Sequence, residues 1–149
     1  MSNTLVEPEA VKIIKITNHF SVSGELTESA LDNLVGLGVD TLINVRPDNE
    51  RKNQITDQDW RALASRHKLH YVYIPVKSCH YTEQDVKKFK AALEQSSNCV
   101  HGFCRTGTRA THLWALANKE NLSFTEMQSL LKDKGYDLDM IDGMFDNVQ

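Results

Sequence analysis

VHGFCRTGTRATHLW (residues 100–114) is the most informative stretch of the chain. A short apolar run ends at Cys104. A turn with one glycine and two arginines follows, and apolar residues then recur at helical spacing. The expected local structure is strand, tight loop, helix. Gly107 permits a turn that residues with a Cβ resist. The amides of Arg105, Thr106, Gly107 and Thr108 can then converge on one point as an anion-binding nest. A helix beginning near Thr108 aims its positive end at the same point. Arg109, in its first turn, adds a planar fork able to grip two oxygens. The same field favours the thiolate of Cys104. The combination points to a nucleophilic thiolate beside an oxyanion clamp.

Two blander readings compete. A cysteine is often a small core residue, and Cys99 fits that description better than Cys104 does. Cys99, His101 and Cys104 could also suggest a metal site. Strand alternation, however, puts Cys99 and His101 on one face and Cys104 on the other or in the loop. The sequence holds no C-x-x-C pair and no H-E-x-x-H. No metal and no cofactor are expected.

Working outward, VDTLINV (residues 39–45) is a β-branched run suited to a buried parallel strand. LHYVYIPV (69–76) reads as another strand, and VKIIKI (11–16) as a third. FSVSG (20–24) reads as an edge-like strand. TESALDNLVGLG (27–38) reads as a helix capped by Thr27, with Leu31, Leu34 and Val35 inward and Gly38 at its stop. Further helices are expected over 57–68, with Trp60, Leu63 and Ala64 inward, and over 82–96, capped by Thr82. Two more are expected near 108–120 and 123–134. Strand and helix alternate through the middle of the chain. That predicts an α/β fold, a central and mainly parallel sheet flanked by helices. Sites in such sheets form beyond the carboxyl ends of the strands. The loops RPDNE (46–50), KSCHY (77–81) and CRTGTR (104–109) should therefore share one rim.

A length of 149 residues suits one domain spanning 1–149. Net charge is −3, so no broad basic face is implied and nucleic acid is not an expected partner. No apolar run approaches membrane-spanning length. The stretch MSNTLVEPEA (1–10) lacks a charged start followed by an apolar core. Three cysteines, an odd number, do not make a disulfide framework. The expectation is a chain without a leader in a reducing, cytoplasmic setting, with no membrane partner.

The loop resembles two families. In cysteine-based phosphatases a glycine follows the cysteine by three residues, an arginine by six, and Ser or Thr comes next. Cys104, Gly107 and Thr111 match that pattern, whereas Arg109 comes five residues after Cys104. Rhodanese sulfurtransferases often read Cys-Arg-x-Gly-x-Arg, as CRTGTR does, and LINVRPDNE (42–50) is similar to their Asp-Val-Arg segment, with Asn44 for the aspartate. Taken together, SGELTESALDNLVGLGVDTLINVRPDNE (23–50), IPV (74–76) and FCRTGTR (103–109) resemble the phosphatase-like domain of beta-lactamase hydrolase-like proteins. That resemblance implies a protein tyrosine phosphatase-like fold of the dual-specificity type.

Phosphatase chemistry requires a nucleophile, an arginine clamp and a proton donor for the leaving oxygen. Cys104 and Arg109 fill the first two roles. Asp48, stiffened by Pro47 at a strand end, is the preferred donor; its plainer role would be to cap the turn or to pair with Arg46 or Arg105. His80 and Glu50 are alternatives, while Asp85 suits the start of its own helix. Arg105, Thr106, Gly107, Thr108 and Arg109 would bind the anion. Thr111 would stabilise the thiolate, unless its hydroxyl bonds its own helix. The expected activity is hydrolysis of tyrosine-type or small aryl phosphate esters through a phosphocysteine. The alternatives are a persulfide carrier taking sulfane sulfur on Cys104, and a non-catalytic anion- or partner-binding module.

Overall fold

The computed structural model describes residues 11–145. The chain begins with an antiparallel pair, β1 (Ile14–Thr17) and β2 (Phe20–Ser23). The alternating part follows as α1 (Ala30–Gly36), β3 (Val39–Asn44), α2 (Asp57–Arg66), β4 (His70–Tyr73), α3 (Glu83–Gln95), β5 (Cys99–Phe103) and α4 (Thr108–Ala117). Two further elements, α5 (Phe124–Lys132) and a 3-10 helix (Asp139–Met144), close the described chain. The strands lie in the order β1-β2-β5-β3-β4, and every pairing except β1–β2 is parallel.

Successive residues of a strand face opposite sides, and β3 shows what that does here. Leu42 packs with Trp60, Leu63 and Leu34 of the α1/α2 layer, whereas Ile43 packs with Phe89, Leu113 and Met127 of the α3/α4/α5 layer. The sheet is therefore covered on both faces, as a parallel sheet must be. Helix α4 lies close on β5 because residue 102 is glycine. A Cβ there would stand 3.2 Å from that of Ala110 and 3.3 Å from the Phe20 ring. This close approach brings the start of α4 to the end of β5, where Cys104 lies.

Several expectations change. β2 is an interior strand: β1 covers one side, β5 the other, and all four of its residues are buried. Its serines are accommodated because Ser21 and Ser23 bond the ring of His101 on β5, at 2.7 and 2.8 Å. Helix α1 starts later than expected. Its N-cap is Ser29, and the Thr27 hydroxyl bonds Ser29 Oγ instead of a helix amide. Val35 is 43% exposed, because seven residues of helix turn only Leu31 and Leu34 fully inward. No helix among the described residues is long and apolar enough to cross a membrane.

Candidate active site

Strand β5 delivers Cys104 to the rim, fully buried. The chain then turns through Arg105 and Thr106 into Gly107, which is the N-cap of α4 at a φ of 94°. Only glycine adopts that conformation freely. The turn brings the Gly107 amide onto the sulfur: its N–H donates to Cys104 Sγ at 3.1 Å. The Thr106 and Thr108 hydroxyls bond each other at 3.0 Å on the outer side. Arg105 and Thr106 are exposed, while the Arg105 carbonyl accepts from the Glu25 amide at 3.2 Å.

Arg109 projects from the first turn of α4. Its Nη1 donates to Glu50 Oε2 at 2.6 Å and to the Val76 carbonyl at 2.8 Å, and its Nη2 donates to Glu50 Oε1 at 3.0 Å. Glu50 thus takes the end of the fork, and both Nη1 hydrogens are engaged. The Nε–H and one Nη2–H remain, side by side on one edge, which suits two oxygens of an oxyanion. Glu50 Oε1 also accepts from Arg46 Nε at 3.1 Å, and Arg46 Nη1 lies 3.2 Å from Glu25. The Arg109 bonds, supported by Arg46 and opposed by burial, hold Glu50 below the usual carboxylate range. Burial disfavours the Arg109 cation, but Glu50 and the nearby Cys104 sulfur outweigh it and raise its value.

The expected proton donors are placed differently. The Asp48 carboxylate accepts the Asp57 amide at 2.8 Å, so it caps the first turn of α2, and its own amide donates to the Tyr73 hydroxyl at 2.9 Å. This is the helix-supporting role that a carboxylate before a helix favours. Glu50 is an ionised anchor for two guanidinium groups and a poor acid. His80 is exposed, with Nδ1 near the Ser78 carbonyl. Thr111 donates its hydroxyl hydrogen to the Gly107 carbonyl at 2.8 Å and not to the sulfur, since that carbonyl lies one helical turn back. Asp85 forms a capping box with Thr82.

Three aromatic or imidazole groups near the loop were not apparent as site residues. His112 Nε2 faces the Asp137 carbonyl at 3.2 Å and must carry the hydrogen, because a carbonyl only accepts. Burial lowers His112, so the ring is neutral and its Nδ1 accepts from the Tyr81 hydroxyl at 2.9 Å. Burial also pushes Tyr81 up to about 12, with the Cys79 and Cys104 sulfurs adding to the effect. Tyr136 donates to the Thr106 carbonyl at 3.0 Å. Tyr81 lies in the 77–81 loop and His112 on α4 just after the cysteine loop, whereas Tyr136 reaches the loop from a distant part of the chain, where spacing offered no signal. On the α1/α2 side a cavity of about 260 Å³ adjoins Arg46, lined also by Glu25, Leu26, Trp60 and Phe103. No three His, Cys, Asp or Glu side chains among the described residues are grouped to hold a metal ion.

Residues 12–120 match the family model of the beta-lactamase hydrolase-like protein, phosphatase-like domain. The chain is 32% identical over 130 residues to a beta-lactamase hydrolase-like protein of Xylella fastidiosa, covering 86% of this chain and 30% of that one. It thus spans about a third of the length of the curated relatives it matches. Among solved structures, a candidate phosphatase of Neisseria meningitidis superposes with a TM-score of 0.79 at 26% identity, over 92% of this chain and 98% of that one. PTPMT1, in complex with PI(5)P, superposes with a TM-score of 0.73 at 12% identity, over 91% of this chain and 95% of that one, a likeness of fold alone. The architecture is that of the cysteine-based, protein tyrosine phosphatase-like proteins.

Proposed function

The chain belongs to the phosphatase-like domain family of beta-lactamase hydrolase-like proteins, and from that premise we propose that it is a cysteine-dependent phosphatase acting on tyrosine-type or small aryl phosphate monoesters. The observation that carries this reading is the Gly107 N–H on Cys104 Sγ at 3.1 Å, with the side edge of Arg109 left open beside the loop. In the first step the thiolate attacks phosphorus. An S–P bond forms, the bond from phosphorus to the ester oxygen breaks, and the aryl oxide leaves with the electron pair. In the second step water attacks phosphorus, the S–P bond breaks, and phosphate and the thiolate are released. The Arg109 edge and the loop amides face the equatorial oxygens in both steps, where negative charge is largest.

The leaving group follows from how Asp48 and Glu50 are engaged. Asp48 is engaged at α2 and Glu50 is ionised between two guanidinium groups. A leaving oxygen that receives little help must be stable as an anion, which favours a phenol over an alcohol. Hydrolysis of para-nitrophenyl phosphate by wild type and Cys104→Ser, from mildly acid to mildly alkaline pH, tests the reading. Turnover by wild type alone is expected. Absence of Cys104-dependent hydrolysis across that range would overturn it.

A second reading, a persulfide carrier, draws on the five-residue step from Cys104 to Arg109, which makes a small loop. Its signature would be thiosulfate-dependent gain of one sulfur atom's mass on Cys104.

A further inference from the structure

The described chain does not end at the sheet and its covering helices. After α5 it turns at Gly135 and lays Tyr136 across the cysteine loop, beyond the span that matches the family model. The Tyr136 amide donates to the Leu131 carbonyl at 3.0 Å, which fixes the residue to the end of α5. Leu138 and Ile141, fully buried, anchor the last described turns in the core formed with α3, α4 and α5. A Cβ on residue 107 would crowd the Tyr136 hydroxyl, so the tyrosine packs over a position that carries no side chain.

One peptide unit carries the consequence. The carbonyl of Thr106 accepts from the Tyr136 hydroxyl at 3.0 Å, and the N–H of Gly107 in the same plane donates to Cys104 Sγ at 3.1 Å. A trans peptide is rigid, and its C=O and N–H point in opposite directions. Gripping the oxygen therefore aims the N–H. Donation into the carbonyl also polarises the amide and strengthens its N–H as a donor. Burial, with the Cys104 charge adding, raises Tyr136 above its ordinary value of 10.0, so the hydroxyl keeps the hydrogen it donates. The preceding peptide is held in the same manner, its Arg105 carbonyl taken by the Glu25 amide.

We propose that Tyr136 is a positioning residue for Cys104, holding the Thr106–Gly107 peptide by its carbonyl so that its N–H is presented to the sulfur as the thiolate forms. The inference rests on Cys104 as the reactive thiolate, and it holds whether the loop takes a phosphoryl group or sulfur. Among the described residues, the charged and titratable groups facing the sulfur are Arg109 from α4, Tyr81 from the loop before α3, and Tyr136 itself.

Tyr136→Phe removes the hydroxyl and keeps the half-buried ring. With cysteine Cβ labelled with carbon-13, NMR follows the Cys104 titration directly, with no need for turnover. The titration midpoint should move to higher pH by about half a unit, the scale of weakening one hydrogen bond. The Gly107 amide proton should move upfield at the same time. Leu138→Ala, which loosens the segment but keeps the hydroxyl, controls for lost packing. It should lower the melting temperature and leave the midpoint within a small fraction of the Tyr136→Phe shift. An unmoved midpoint in Tyr136→Phe, or an equal shift in Leu138→Ala, overturns the proposal. Loss of para-nitrophenyl phosphate turnover with an intact Cys104 titration would instead count against the phosphatase reading alone.

Discussion

Glu50 shows how a single side chain can set a clamp without touching a substrate. Its Oε1 accepts from both Arg46 and Arg109, so two cations that would repel are held around one anion. Glu50→Gln keeps the shape and removes the charge. Charge-assisted bonds of this kind contribute about 1.5–3 kcal/mol when buried, and this carboxylate is 26% exposed, which screens part of that. A roughly tenfold fall in kcat/KM is the expected result, since 1.4 kcal/mol is a factor of ten. The pH dependence has a definite sign. Glu50 is held below its ordinary value of 4.5, so its stabilisation is complete above that pH and is lost as pH falls through the lowered value. Urea unfolding of wild type and variant should therefore show a gap in stability at neutral pH that closes in acid. A gap that persists unchanged in acid would place the effect elsewhere. At this scale the sequence was partly legible. The spacing of Cys104, Gly107 and Arg109 announced a loop around an anion. It gave no hint that Glu50 and not Asp48 would face Arg109, because that choice depends on how the 45–56 loop folds over the rim. Asp48 is drawn away by an unpaired helix amide at Asp57.

Among the elements, the pairing of β2 with β5 was hidden for a related reason. Serines in a four-residue strand suggest an edge, and here they lie inside the sheet because each has a partner on the next strand. His101 is held between Ser21 and Ser23, completely buried. Burial pushes His101 down to about 3 from an ordinary 6.5, so the ring stays neutral in the folded chain. The unfolded chain binds a proton that the folded chain refuses. Stability from this site is complete above pH 6.5 and is lost as pH falls toward the folded value, by about 1.4 kcal/mol per pH unit. The window between the histidine's 6.5 and the carboxylate value of 4.5 isolates the effect from Glu50. His112, also lowered by burial, acts with the same sign. His101→Gln should be less stable than wild type at neutral pH yet show a shallower fall in urea midpoint across that window. Equal slopes would mean that the folded chain protonates His101. Elements whose signals are local were easier to infer. Thr82 with Asp85 capped α3 as its own sequence dictates, and Trp60, Leu63 and Ala64 faced inward on α2 as their spacing requires.

Over the whole molecule, the cysteine loop is held by segments from nearly every part of the described chain. Glu25 follows β2, Arg46 and Glu50 follow β3, Val76 follows β4, and Tyr136 follows α5. The alternation of strands and helices placed the loops after β3 and β4 at this rim in advance, because parallel strands end together, whereas the Glu25 segment follows a strand that reads as an edge. The Tyr136 segment was not foreseeable. A polar stretch after a helix has no periodic signal, and its role depends on where α5 happens to point. A loop fixed from so many directions should already have its binding shape before a ligand arrives. An oxyanion would then bind without ordering the chain, and its full affinity would appear as added stability. Inorganic phosphate at one hundred times its Kd should contribute about 2.7 kcal/mol. For a chain of this size that is a rise of roughly 5–10 °C in Tm. Arg109→Lys keeps a positive charge but replaces the open Nε–Nη2 edge with a single point donor. If that edge is the oxyanion grip, the variant should lose most of the phosphate-dependent rise. Chloride at the same ionic strength should raise neither melting point, which separates binding from screening. A full rise in Arg109→Lys would mean that phosphate binds away from the loop, and the open edge would then have no part in holding it.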